Sequence, residues 1–207
     1  MTVSHPVPYV SQFASADLVE GFVTDVVPVS SDPRWAETGA ADVVQYAWWA
    51  RRMCGMACLR MVLAARGVPA PSLVELAEEC ARNGGYVRHD DGRVDGLIYA
   101  PFARWVAERF GICAEVRTTL PVDEIRALVN AGTLVMVSVH PWLRWPDREP
   151  PARGGHLVLV VGTTPDALLV HNPSGLPGES QEYAEVPTAA FDRFYAGRGV
   201  TFPACEA

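Results

Sequence analysis

The chain has 207 residues, with 24 Asp or Glu against 17 Lys or Arg and a formal charge of −7. All 17 basic residues are Arg, so no lysine can serve as a P-loop phosphate ligand, a Schiff-base amine or a hydrolase base. The acidic balance excludes nucleic acid as the main partner, since phosphate binding needs a basic surface.

Residues 1–207 are long enough for one globular domain with a real core. No apolar run approaches the ~18–20 residues of a membrane span, so no membrane partner is expected. The N-terminal stretch MTVSHPVPYV has neither a basic n-region nor an apolar h-region, which predicts a cytoplasmic protein without a secretory signal. Five cysteines at irregular spacing fit free thiols better than a disulfide framework.

In chain order, residues 6–12 (PVPYVSQ) read as a short extended segment, and residues 13–44 as irregular. Met53–Arg66 is a helix with an apolar face at 3.6 spacing, ended by Gly67. Ser72 and Glu75 form a capping-box pattern that opens a second helix, ending near Gly84. Residues 83–96 are turn-rich. A third helix is predicted over Tyr99–Phe110, a strand over 113–118, and a fourth helix from Pro121 to about Ala131. Thr133–Val139, His156–Gly162 and Ala167–His171 are strands, and Thr201–Phe202 closes the sheet. Helices followed by hairpin-connected strands define an α+β chain, not a doubly wound one.

Cys54 stands at the start of the first of these helices, where free N–H groups and the helix dipole favour a thiolate. Gly55 leaves room for a substrate against the backbone, and Arg51 and Arg52 add positive potential. The bland alternative is a buried core cysteine. Cys54 and Cys58 are four apart, but no second Cys/His pair has zinc-ligand spacing, so no metal is expected, nor any cofactor. Cys58 reads as core, and Cys80, Cys113 and Cys205 as structural or incidental.

A thiol nucleophile needs a base. Of His5, His89, His140, His156 and His171, His156 is the best placed, between Gly154-Gly155 and an apolar strand. Asn172 ends the return strand of the same hairpin, 16 residues on. The outer ends of two strands joined by a tight turn are neighbours. An Asn oxygen there can fix the imidazole tautomer. The loop 140–155, with Trp142, Arg144 and Trp145, directly precedes the base. It is either a wall of the substrate groove or a rigid surface loop. Tyr46, Trp48 and Trp49 read more readily as core than as groove wall.

Pro6–Gln12, Cys-Gly-Met-Ala-Cys-Leu-Arg-Met-Val-Leu from Cys54, Gly-His-Leu-Val-Leu-Val-Val-Gly from Gly155 and Val-His-Asn-Pro-Ser-Gly from Val170 together resemble the C39-like cysteine peptidases, a papain-like family. The resemblance implies a papain-like fold, with the nucleophile on the helical part and the base on an antiparallel sheet. It implies Cys54 as nucleophile, His156 as base and then acid, and Asn172 as the orienting residue. It also implies an oxyanion-hole glutamine. Gln12 carries the motif but lies 42 residues before Cys54, so residues 13–50 read as an insertion. Gln45 is nearer but lacks the motif. Met56 stands where relatives often have Pro.

The implied activity is hydrolysis of a peptide or other amide through a Cys thioester. Two alternatives use the same cleft: transfer of the acyl group to an amine in a biosynthetic tailoring step, and peptide binding without catalysis. The expected partner is a peptide or amide small-molecule substrate.

Overall fold

The computed structural model describes residues 1–204; Cys205 therefore lies outside the described residues. The strands are β1 (Val3–Ser4), β2 (Val87–Arg88), β3 (Val94–Asp95), β4 (Glu115–Arg117), β5 (Leu134–Val139), β6 (His156–Thr163), β7 (Ala167–His171), β8 (Ala184–Pro187) and β9 (Tyr195–Phe202). The α-helices are α1 (Val19–Val23), α2 (Val43–Ala50), α3 (Cys54–Ala65), α4 (Leu73–Arg82), α5 (Tyr99–Phe110), α6 (Val122–Asn130) and α7 (Thr188–Phe194).

One antiparallel sheet runs in the order β4-β9-β5-β6-β7-β8. The short β1 pairs with Gly162 and Thr163 at the far end of β6. β2 and β3 form a separate small hairpin. Every residue of β5 and β6 is buried, because helices cover both faces of the sheet. Leu157, Leu159 and Val161 pack with α2, α3, α4 and α5. Val158 and Val160 pack instead with Ile125 and Val129 of α6 and Phe191 and Phe194 of α7. Two covered faces explain why both strands read as continuous apolar runs rather than as an alternation.

The predicted α+β class holds, and α3, α4, α5, α6, β5, β6 and β7 lie where the sequence puts them. Helix α5 ends at Gly111, whose φ of 67° is the left-handed cap conformation. Ser72 and Glu75 form the expected capping box, in which the N–H of Ser72 donates to the Glu75 carboxylate at 2.9 Å. Four elements differ most from expectation. Helix α2 begins in the last two residues of the segment 13–44 read as irregular and runs through residues 45–50, which carried no assignment. β8 and α7 were not expected at all. β9 spans eight residues rather than the two at Thr201–Phe202.

The segment 13–50 is not an excursion into solvent. Val19, Phe22, Tyr46 and Trp49 are fully buried in the same core as α3. Its two ends meet: the Gln12 side-chain amide donates to the Ala50 carbonyl at 2.7 Å. Asp32, 1% exposed, fastens it internally. Its carboxylate accepts from Ser15 N–H (3.1 Å), Ser15 Oγ (2.7 Å), Arg34 N–H (3.0 Å) and the Tyr46 hydroxyl. Burial alone would raise this carboxyl, but those hydrogen bonds outweigh it and hold it below the ordinary value.

Asp32→Asn puts an amide where only donors point. It is expected to destabilise the chain by roughly 2 kcal/mol at pH 7, read by urea denaturation. A depressed folded pKa gives stability that is present above the unfolded value and lost as pH falls through the folded one. The gap between wild type and variant therefore narrows below about pH 4. An equal gap at pH 7 and pH 3 would contradict this.

Candidate active site

Cys54 is the first residue of α3 and is half-buried. As the first helical residue it has no intrahelical carbonyl to take its N–H. The thiol feels opposing influences. Burial raises its pKa, while the N–H groups of Leu157, Gly55 and Cys54 itself, and the charge of Arg144, lower it. Burial prevails, so the resting thiol is neutral. The expected effect of the helix start is present but outweighed. Gly55 has a different role from the one read in the sequence. A Cβ there would lie 2.9 Å from Leu97 and 3.0 Å from Leu157, so neighbouring side chains, not substrate, occupy that space.

His156 is the first residue of β6 and is 5% exposed. Gly154 and Gly155 before it have φ of 84° and 95°, a left-handed path that favours glycine. Its Nε2 lies 2.8 Å from Asn172 Oδ1. The same oxygen accepts the Ser174 backbone N–H at 3.1 Å. A backbone donor must face an oxygen, so the Asn172 amide is oriented, and Nε2 must carry the imidazole proton. Nδ1 is thereby left as the free base. Burial first, and the Arg144 charge next, push the imidazole down to about 3. The resting pair is therefore neutral thiol and neutral imidazole.

Gln12 is 4% exposed. Its backbone N–H donates to the Pro173 carbonyl at 2.9 Å, and Tyr9 donates to the Asn172 carbonyl at 3.0 Å. The N-terminal segment is thus tied to the chain just after β7. Because Gln12 Nε2 donates to Ala50, the amide orientation is fixed, and one Nε2 hydrogen remains free. Gln12, Cys54 and His156 line one cavity of about 560 Å³. Gln45 is elsewhere: it accepts from Ala41 N–H and donates to Glu78.

The other histidines have structural partners. His5 bonds the Val129 carbonyl (2.7 Å), His171 the Val7 carbonyl (2.9 Å), and His89 pairs with Asp95 at 2.8 Å. His140 accepts the Trp142 N–H. Cys58 is fully buried and donates to the Leu157 carbonyl. Tyr46 and Trp49 are core, and Trp48 is covered by the guanidinium groups of Arg52 and Arg88, each 4.5 Å from its ring.

Loop 140–155 borders the cavity through Pro141, Arg144 and Gly155, not through its tryptophans. Sequence reasoning gave no role to Arg144, Ser174, Tyr86, Tyr99 or Arg198, all of which line the cavity. Ser174 had one visible signal: it stands two residues past Asn172, in the turn that ends the return strand.

The arrangement is a thiol, a neutral imidazole held by a carboxamide, and unused N–H donors around one cavity. The profile of the peptidase C39-like family matches residues 40–201, and the chain belongs to this family. Gln12 lies before the matched stretch. In structure the chain is similar to a C39-like peptidase from Bacillus anthracis, at 14% identity and a TM-score of 0.61, each chain covered fully. It is also similar to the peptidase domain of Streptococcus ComA, a bifunctional ABC transporter of a quorum-sensing pathway. There the identity is 16% and the TM-score 0.50, over 74% of this chain and 93% of that one. These likenesses show the C39 peptidase fold, which is papain-like. No curated protein matches the sequence significantly. Among the described residues no helix is long and apolar enough to cross a membrane.

Proposed function

We propose that the chain is a cysteine hydrolase of peptide or other amide bonds, working through a thioester on Cys54. The observation that carries this reading is the His156–Asn172 pair, fixed by the Ser174 N–H so that Nδ1 is free beside the cavity that Cys54 also lines. As Sγ attacks the carbonyl carbon, its proton passes to His156 Nδ1. The carbonyl oxygen becomes an oxyanion, held by the Cys54 N–H and the free Nε2–H of Gln12. His156 returns its proton to the leaving nitrogen, the C–N bond breaks, and the amine departs. Water, deprotonated by His156, then attacks the thioester. Sγ leaves and the carboxylic acid is released.

Gln12→Ala removes one oxyanion donor. The expected result is a fall in kcat of roughly 10²-fold with KM little changed. An unchanged kcat would assign the oxyanion to other donors.

The reading as a whole is tested by incubating the protein with a proteome-derived peptide library and sequencing the products by mass spectrometry. New internal termini should appear with wild type. They should be absent after pretreatment with iodoacetamide when Cys54 is the alkylated residue.

A further inference from the structure

The charge lining the cavity is opposite to that of the chain. Of 21 lining residues four are arginines (Arg51, Arg52, Arg144 and Arg198) and none is Asp or Glu, in a chain of net charge −7. Arg51 is paired with Asp25 at 2.6 Å. The other three have no acidic partner among the described residues.

Arg144 stands apart because it is only 8% exposed. Nη2 donates to the Ser174 hydroxyl at 2.6 Å. Nε is sealed from solvent with no partner, and Nη1 makes no hydrogen bond among the described residues. The group lies over the Trp145 ring, 5.3 Å from its centre. Burial pushes the guanidinium down to about 10, which leaves it charged at neutral pH. A buried guanidinium normally keeps an anion beside it. Ionised Cys54 serves only in passing, since the sulfur loses its charge on acylation. The missing anion is therefore supplied by a ligand.

We infer that Arg144 binds a carboxylate of the substrate, carried by the half that leaves as the amine, within the field of Arg52 and Arg198. The inference rests on the cysteine-hydrolase reading above. The side of the bond follows from the proton's path. The leaving nitrogen must come within hydrogen-bond reach of His156 Nδ1, and Arg144 stands on the same wall of the cavity, on the loop leading into His156 and joined to the opposite edge of that imidazole through Ser174 Oγ, 3.2 Å from Nε2. The acyl half lies instead over the Cys54 N–H and Gln12. The carboxylate can be an acidic side chain just past the cleaved bond, or the free C-terminus of a short leaving fragment. Arg is suited to either by its planar, two-pronged donor geometry.

The test uses two peptide libraries, one native and one methyl-esterified so that every carboxylate is masked. Wild type is expected to cleave the native library at least roughly tenfold faster. Cleaved sequences should carry Asp, Glu or a free terminus on the leaving side. Matched peptides with Asp replaced by Asn, or with an amidated terminus, separate the two sources. Arg144→Gln should slow the native library further than the esterified one, bringing the ratio of the two libraries near one, while the rate both lose in common reports the lost Arg144 charge on Cys54 and His156. A role confined to the Cys54 thiol would slow both libraries equally and leave the ratio unchanged.

Equal cleavage of both libraries by wild type overturns the inference, and that arm needs no variant. So does enrichment of acids on the acyl side alone. Capture of library peptides by Cys54→Ala separates this inference from the hydrolase reading. Carboxylate-dependent capture without cleavage by wild type keeps the anion site and sinks the hydrolase. Neither capture nor cleavage overturns both.

Discussion

Replacing Cys54 by alanine is expected to lower peptide hydrolysis at least about 10⁴-fold, to the background of the assay, with the fold intact. Removing the nucleophile of a concerted group leaves only what the oxyanion donors and binding supply. A 10⁴-fold loss is about 5.5 kcal/mol in the barrier. The fold should survive because Cys54 opens α3 at the cavity edge, half-buried, while Met56, Leu59, Met61, Val62 and Leu63 beyond it make the packed face. Thermal unfolding should therefore shift little, and kcat should vanish. Cys58→Ala provides the contrast. That thiol is sealed in the core against the Leu157 carbonyl, so its loss should be felt in stability and much less in kcat. Full activity in Cys54→Ala would remove the basis for a thioester.

His156→Gln is expected to lower kcat by roughly 10³–10⁴-fold. Glutamine can still fill the space beside Asn172 but cannot take a proton. The pH profile of the wild type carries a second expectation. Activity needs neutral His156. Burial, reinforced by the Arg144 charge, lowers its pKa, and the hydrogen bond to Asn172 only partly offsets this. A depressed pKa keeps the base neutral to lower pH, so the acid limb of kcat/KM should lie below the ordinary imidazole value of about 6.5. In His156→Gln that limb should disappear, with the remaining activity rising with pH as the thiol ionises. A wild-type limb above 6.5 would mean that the charged imidazole is favoured, against the burial seen here.

Much of this molecule was legible where the signals are local. Helix α5 is bounded by Gly111, and β6 and β7 are apolar runs joined by the turn at Thr164–Asp166. From these, the neighbourhood of His156 and Asn172 follows by hairpin geometry alone, and their contact is 2.8 Å. The link of Gln12 to Cys54 was not local. It depends on the segment 13–50 closing on itself, through buried Phe22, Tyr46 and Trp49 and the Asp32 cluster.

Other elements were hidden by composition. β9 contains Gly197 and Gly199, which weaken any strand reading. Yet Gly199 is required, because a Cβ there would lie 2.2 Å from the Met136 carbonyl of the neighbouring strand. Helix α2 is short and rich in Val, Tyr and Trp, poor helix formers, and its one clear signal is the Asp42 side chain capping the Gln45 N–H. The burial of Arg144, which the sequence places only in the loop before His156, was hidden for a different reason. Nothing in the sequence distinguishes a surface arginine from one whose charge is buried beside Cys54 and His156. The absence of lysine acquires a sharper meaning here: the permanently charged groups around the cavity are all guanidinium groups, none of which can act as an amine acceptor for the thioester.

The most direct measurement is to mix the protein with peptide substrate, quench in acid within milliseconds to seconds, and map the protein by mass spectrometry. The account predicts an acyl group on Cys54, lost on treatment with hydroxylamine and missing in His156→Gln at the same time points. Steady cleavage of the substrate with Cys54 unmodified throughout, and continuing in Cys54→Ala, would contradict it.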